Sequence, residues 1–103
     1  MLGAAAAAVL AVLAGAGPAS AQTGQELFAG KGCVACHGQD GSKPLLPTYP
    51  RLAGQNAPYL VLALKAYKAQ ERKGEQATIM WGMAGQLSES EMQRIAEYLS
   101  KPQ

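Results

Sequence analysis

Both cysteines of the chain and its one histidine lie within five residues, in the sequence Cys33-Val34-Ala35-Cys36-His37. Two thiols three positions apart share one face of a helical turn, so they reach the two vinyl groups at one porphyrin edge and form thioethers. A histidine directly after the second cysteine then lies under the iron, where a neutral imidazole nitrogen ligates the metal. The motif therefore predicts one covalently attached haem c, with Cys33 and Cys36 as attachment sites and His37 as an axial iron ligand.

Other kinds of site use the same residue types. A disulfide between Cys33 and Cys36 is typical of thioredoxin-like redox proteins, but the surrounding sequence shows no strands alternating with helices. A structural zinc site needs four protein ligands, and a carboxylate would have to supply the fourth. Because the motif contains every cysteine and histidine of the chain, haem is favoured over these alternatives and over coincidence.

The second axial position requires another residue type, because the chain has a single histidine. After residue 21 the methionines are Met80, Met83 and Met92. Met92 falls in the apolar stripe of a predicted helix and is interpreted as a core residue. Met80 and Met83 belong to a segment with two glycines, Gly82 and Gly85, which predict a loop that approaches a flat ligand closely. Spacing leaves Met80 and Met83 both open as ligands.

The first 21 residues carry no charged side chain, and 16 of them are hydrophobic, against 34 of the remaining 82. An apolar run over 4–14 precedes Gly15, Gly17 and Pro18, and small residues follow at 19–21. This pattern predicts a secretory signal peptide over 1–21, cleaved after Ala21, and hence a periplasmic location. No Lys or Arg precedes Ala4. A start further upstream and retention as a hydrophobic membrane anchor therefore stay open.

Size and charge exclude several classes of protein. A chain of 103 residues holds one small domain, which rules out most multi-substrate enzymes. The part after residue 21 is poor in apolar residues, so something besides side chains must help to complete its core. The net charge of +2 is weak and dispersed, which argues against a nucleic-acid partner. The apolar run of the leader is too short to cross a bilayer, which takes about 20 residues, so no membrane span is expected after processing.

The sequence predicts an all-α fold with three main helices and no strand after residue 22. The first helix runs from Gly24 to Lys31, capped by Thr23 with Glu26 three residues later. The second starts at Asn56 and runs to about Arg72, with the basic side chains of its later turns on a solvated face. The third spans 89–100, behind the capping box that Ser88 forms with Glu91.

A proline-rich stretch separates the first two of these helices. It covers 38–55 and has prolines at 44, 47 and 50, so no helix is expected there. Its apolar residues predict a loop packed against a cofactor rather than a free linker. These residues are Leu45, Leu46, Tyr49 and Leu52.

Taken together, these segments resemble a class I c-type cytochrome, with greatest similarity to the small bacterial monohaem forms and to single halves of tandem di-haem cytochromes. The resemblance covers 22–103, which is expected to form one monohaem domain. The matching segments are 24–28, 33–38, 49–55, 59–60, 80, 87–91 and 95–99.

This resemblance implies further site residues. In the family the axial methionine lies seven residues before the apolar position that precedes the cap of the last helix, and counting back from Leu87 gives Met80. The histidine ring donates to a proline carbonyl, which would here be Pro47. Apart from the resemblance, Arg51 or Trp81 is a candidate haem contact, as a donor to a propionate, and ordinary placement at the surface or in the core is the alternative.

The implied function is that of a one-electron carrier and not of an enzyme, because His and Met ligation keeps the iron six-coordinate in both oxidation states. The expected partners are other redox proteins, such as a dehydrogenase, a cytochrome complex or a terminal oxidase. Two alternatives stay open: a haem c subunit of a larger dehydrogenase complex, and a small haem enzyme whose Met80 dissociates to admit substrate.

Overall fold

The computed structural model describes residues 22–101, and the predicted signal peptide lies outside them. Five helices form this part of the chain, and it contains no strand. They are α1 (Gly24–Gly30), α2 (Val34–His37), α3 (Ala57–Lys68), α4 (Ala77–Gly85) and α5 (Glu89–Ser100). The all-α fold is therefore confirmed, and helices α1, α3 and α5 correspond to the three predicted from the sequence.

The first and last helices of the domain, α1 and α5, pack against each other, and each begins with a capping box. Thr23 and Glu26 form the predicted capping box at α1, and Ser88 and Glu91 form the second one at α5. Each box satisfies two backbone N–H groups that a helix start leaves without partners. Both boxes place the following apolar residues on the inner side of their helices.

The hydrophobic core lies where α5 packs against α1 and α3. Its members are almost fully buried side chains from these helices and from the residue before the cap of α5. They are Leu27, Phe28, Leu60, Leu87, Met92, Ile95, Ala96 and Leu99. Met92 is 1% exposed, so its assignment to the core is confirmed.

Helix α4 replaces the loop that the two glycines around Met80 and Met83 predicted. A glycine inside a helix costs about 1 kcal/mol relative to alanine. The packing of α4 against α3 offsets this cost, and Ala84 is completely buried. Tertiary contact has thus overridden local propensity, and both methionines are carried on a helix.

Helix α3 ends at Lys68, four residues before the predicted end at Arg72. The chain leaves the helix at Gln70, whose φ of 60° is left-handed. The N–H of Gln70 donates to the carbonyl of Tyr67, and the N–H of Glu71 donates to that of Ala66 at 2.9 Å. This pair of bonds defines a Schellman motif, here with glutamine in the position that glycine usually takes.

The proline-rich stretch contains no helix, as predicted, and backbone bonds hold it in place. The N–H of Leu45 donates to the carbonyl of Cys36 at 2.8 Å, and the N–H of Gly54 donates to that of Leu99 at 2.8 Å. The prediction that Leu45 and Leu46 pack inward is wrong, because they are 69% and 42% exposed. Main-chain bonding rather than burial of these two leucines therefore orders the first half of the loop.

Candidate haem-binding site

The end of α1 sets the position of the first cysteine. Gly32 has a φ of 86°, and its N–H donates to the carbonyl of Ala29 at 3.2 Å. The N–H of Cys33 donates to the carbonyl of Phe28 at 3.1 Å, which completes a Schellman motif. Helix termination thus places Cys33 at a defined point directly after the left-handed glycine.

The short helix α2 carries the rest of the motif. The N–H of His37 donates to the carbonyl of Cys33 at 3.0 Å, so the two cysteines and the histidine are held on one turn. Both thiols are free, and Cys33, Cys36 and His37 line the same cavity. Burial raises the pKa of the Cys33 thiol, which opposes the thiolate form that a zinc ligand or a redox-active cysteine needs.

His37 is the one buried polar side chain among the described residues, with 6% exposed. Its Nδ1 lies 2.9 Å from the carbonyl oxygen of Pro50. A carbonyl only accepts, so Nδ1 carries the proton, and Nε2 keeps the lone pair that binds a metal. The structure gives this role to Pro50 instead of Pro47, which is exposed and does not line the cavity. The path of the loop between His37 and Pro50 decides which proline carbonyl reaches the ring, and the spacing of the prolines in the sequence does not reveal that path.

Helix α4 forms another wall of the same cavity. Met80 and Met83 are one helical turn apart, and both line the cavity. The Cε of Met83 also contacts the Gly32 turn, because a Cβ built on Gly32 would lie 3.3 Å from it. The structure therefore brings two thioethers into the cavity that holds His37.

The cavity has a volume of about 460 Å³, within the size range of small-molecule and cofactor sites. Its inner lining is mostly apolar and comes from all five helices and from the proline-rich loop. The apolar and aromatic members include Phe28, Tyr49, Leu52, Tyr59, Leu60, Leu64, Tyr67, Ile95 and Leu99. Such a lining excludes water and accepts a large apolar plate.

Basic side chains line the cavity in two places. Arg51 is exposed and belongs to the lining, as does the segment 72–76 that follows α3. The guanidinium of Arg72 stacks over the ring of Tyr67 at 4.9 Å from the ring centroid. Helical periodicity predicts that Tyr67 faces inward, but it does not predict the stacking of Arg72 on its ring, because that contact depends on where α3 ends.

Trp81 has a structural contact in place of the predicted haem contact. Its indole N–H donates to the carbonyl of Arg72 at 2.8 Å, and the side chain does not line the cavity. An indole has a single donor, so this bond leaves none for a propionate. Trp81 instead ties α4 to the segment that forms the cavity wall.

These residues fit a haem group of the c type. Two free thiols, an imidazole with an available Nε2, and thioether sulfurs on a second wall surround one apolar cavity. Thioether and imidazole are the axial ligands of low-spin electron-transfer haem, and basic side chains suit the carboxylates of a porphyrin. The fold and the donor set therefore define a haem-binding protein of the c type.

The sequence model of the Cytochrome c family matches residues 21–102, and the chain belongs to this family. It is 50% identical over 68 residues to cytochrome c-554(548) of Halomonas halodenitrificans, with 66% of this chain and 81% of that protein covered. It is 40% identical over 68 residues to a thiosulfate dehydrogenase electron acceptor of Stutzerimonas stutzeri, covering 66% of this chain and 31% of that protein.

The fold matches a solved structure of cytochrome c4 from Acidithiobacillus ferrooxidans with a TM-score of 0.64 and 30% identity. That match covers 75% of this chain and 46% of the cytochrome c4 chain. The chain thus spans less than half of this structure and about a third of the Stutzerimonas relative. It is a class I c-type cytochrome that binds haem c covalently, in a family of electron-transfer proteins.

Proposed function

We propose that the protein carries single electrons between redox proteins in the periplasm, with His37 and Met80 as the axial ligands of its haem iron. The observation that carries the proposal is the Nδ1 of His37 bound to the Pro50 carbonyl, in a cavity that Met80 also lines. This bond leaves Nε2 free for iron. In the cytochrome c family the axial methionine lies seven residues before the apolar position that precedes the cap of the last helix, and this resemblance favours Met80 over Met83 as the second ligand.

When bound, haem c supplies an iron that alternates between the ferrous and ferric states by one electron. The Pro50 carbonyl holds the His37 ring in one tautomer and one orientation, and it would do so whichever oxidation state the iron takes. Helix α4 holds Met80 in place. The neutral thioether of Met80, in an apolar cavity, would favour ferrous over ferric iron. Ligands that keep their geometry in both oxidation states leave little to reorganise when the electron moves.

The partner class is inferred from chemistry and from similarity. The Stutzerimonas relative is an electron acceptor of a dehydrogenase, which supports a dehydrogenase as donor to this chain. The predicted signal peptide supports the periplasm as the compartment. Within residues 22–101, no helix is long and apolar enough to cross a membrane.

A haem enzyme with a dissociable methionine is the competing function. Such an enzyme needs a polar group beside the open iron position, as a second histidine would supply. His37 is the single histidine of the chain, and its Nδ1 is already bound to Pro50. The residues in the cavity therefore favour a carrier over a catalyst.

The test uses the full chain expressed in a host that attaches haem c. A pyridine haemochrome spectrum is expected to show one haem with two thioether bonds, and the protein should cycle between its two oxidation states without loss of colour. Met80→Ala should lose the weak far-red band of thioether-ligated ferric haem and bind cyanide rapidly. Met83→Ala is the matched control and should keep the band. A colourless product would refute the covalent attachment of haem. A Met80→Ala protein that retains the far-red band would refute Met80 as the second ligand.

A further inference from the structure

A hydrogen bond joins the two walls of the haem cavity that carry the cysteines and the methionines. Gln86 Nε2 donates to the carbonyl oxygen of Lys31 at 3.1 Å. Lys31 caps the carboxyl end of α1, directly before Gly32 and Cys33, and Gln86 caps the carboxyl end of α4. Carbonyls in the last turn of a helix have no partner within that helix and carry partial negative charge, so an amide donor suits this position.

Two further contacts hold the residues around Lys31 in place. The ammonium of Lys31 lies 3.6 Å from Glu91 Oε2, and the two side chains are 28% and 21% exposed. Met83 packs its Cε against the Gly32 turn. Lys31 therefore binds the end of α4 through its carbonyl and the start of α5 through its ammonium.

We propose that Gln86 is a positioning residue for Met80, which it serves by holding the carboxyl end of α4 against the turn that leads to Cys33. This inference rests on the proposed ligand role of Met80. Met80 and Gln86 are separated by little more than one and a half turns of one helix, so a shift at Gln86 is transmitted along α4. Trp81 holds the same helix to the Arg72 carbonyl, and Gln86 provides the contact to the cysteine wall.

The mechanical consequence concerns opening of the iron site. If α4 moved away from the wall that contains His37, Met80 would withdraw from the iron that it is proposed to bind, and the bond between Gln86 and Lys31 would break. We call the state with Met80 withdrawn the open state. A variant without this hydrogen bond loses its net contribution of about 1 kcal/mol, so the equilibrium constant for opening should rise about fivefold. Gln86 thus keeps the iron closed to external ligands without touching the haem.

The test compares Gln86→Leu and Gln86→Asn with the wild type, all as full-length ferric holoprotein. Leucine removes the donor, and asparagine shortens the reach by one methylene group. Both variants should bind cyanide about fivefold faster. Both should also lose the far-red band at a lower temperature than the wild type while far-ultraviolet circular dichroism shows the helices intact. Gln86→Lys, which restores a donor to the carbonyl, should bind cyanide more slowly than Gln86→Leu.

Gln93→Leu is the matched control, because Gln93 is an exposed glutamine on α5 with no bond to the cysteine wall among the described contacts. Wild-type cyanide kinetics in Gln86→Leu, or equal acceleration in Gln93→Leu, would overturn the proposal. An equal fall in the temperatures of band loss and of unfolding would also overturn it, because Gln86 would then stabilise the whole fold. Met80→Ala, measured separately, reports failure of the ligand assignment itself.

Discussion

His37 and Pro50 are 13 residues apart in the chain, yet the Nδ1 of the histidine lies 2.9 Å from the carbonyl oxygen of the proline. The loop between them is held by main-chain bonds, among them those from Leu52 and Ala53 to the carbonyl of Gly41. The orientation of the imidazole is therefore a property of the loop fold. Pro50, which does not itself ligate a metal, can therefore influence the iron that His37 is proposed to bind through this bond.

The first prediction concerns that bond. Pro50→Ala keeps the carbonyl but frees the backbone φ that the pyrrolidine ring restricts, so the bond to His37 should weaken. A weaker bond makes the imidazole less basic and disfavours ferric iron. The midpoint potential should rise by about 20 mV, which for one electron corresponds to about 0.5 kcal/mol of hydrogen bonding. Redox titration measures this shift, and Pro47→Ala should leave the potential unchanged. A larger shift of the midpoint potential for Pro47→Ala than for Pro50→Ala would contradict the role given to the bond between Pro50 and His37.

The second prediction uses two glycines of one helix. A Cβ at Gly24 would lie 2.1 Å from the carbonyl oxygen of Arg94, whereas a Cβ at Gly30 would meet no atom within 4 Å. Gly24→Ala forces α1 away from α5 and should lower the free energy of unfolding by about 2 kcal/mol. Gly30→Ala removes backbone entropy from the unfolded chain and should raise it by about 0.5 kcal/mol. Urea unfolding of both holoproteins provides the measurement, and effects of the same sign would contradict the packing of α1 on α5.

The third prediction addresses the end of α3. Gln70 has a φ of 60°, which costs a residue with a Cβ about 1–2 kcal/mol. Gln70→Gly relieves this cost and should raise the free energy of unfolding by about 1 kcal/mol after the entropy of glycine is deducted. Gln70→Ala keeps the strain and serves as the control. Equal stabilities of these two variants in urea would show that the helix end does not require the left-handed conformation.

The fourth prediction is a pH dependence at α5. The Ser88 N–H, which donates to Glu91 Oε1 at 2.9 Å, holds the pKa of that carboxyl below its ordinary value, and the nearby Lys31 ammonium adds to the effect. A lowered pKa in the folded state contributes stability that is present above the ordinary pKa of glutamate, about 4.3, and is lost as the pH falls through the folded value. The wild type should therefore lose stability on acidification below about pH 5.

Glu91→Gln isolates this contribution, because glutamine can still accept the Ser88 bond in a capping box but does not titrate. The variant should show a smaller loss of stability between about pH 5 and pH 3, measured by urea unfolding at each pH. Identical pH slopes for variant and wild type would mean that Glu91 titrates alike in the folded and unfolded chains.

The sequence alone determined those parts of the protein that depend on local chemistry. The Cys33-Val34-Ala35-Cys36-His37 motif specified the cofactor, since its spacing brings two thiols to one porphyrin edge and an imidazole under the iron. Capping boxes at Thr23 and Ser88 marked two helix starts that the structure confirms, because the bonds involved join residues three positions apart. Burial of Met92 likewise followed from helical periodicity.

Only the tertiary structure decided the features that depend on packing between distant segments. It chose Pro50 as the partner of His37, because the path of a loop decides which carbonyl reaches the ring. It made a helix of the glycine-containing Met80 segment, because contact with α3 outweighs weak propensity. It bound the Trp81 indole to the Arg72 carbonyl nine residues away, and it bound Gln86 to Lys31 across 55 residues of chain. Such contacts join residues that are remote in sequence, and no periodicity or motif encodes them.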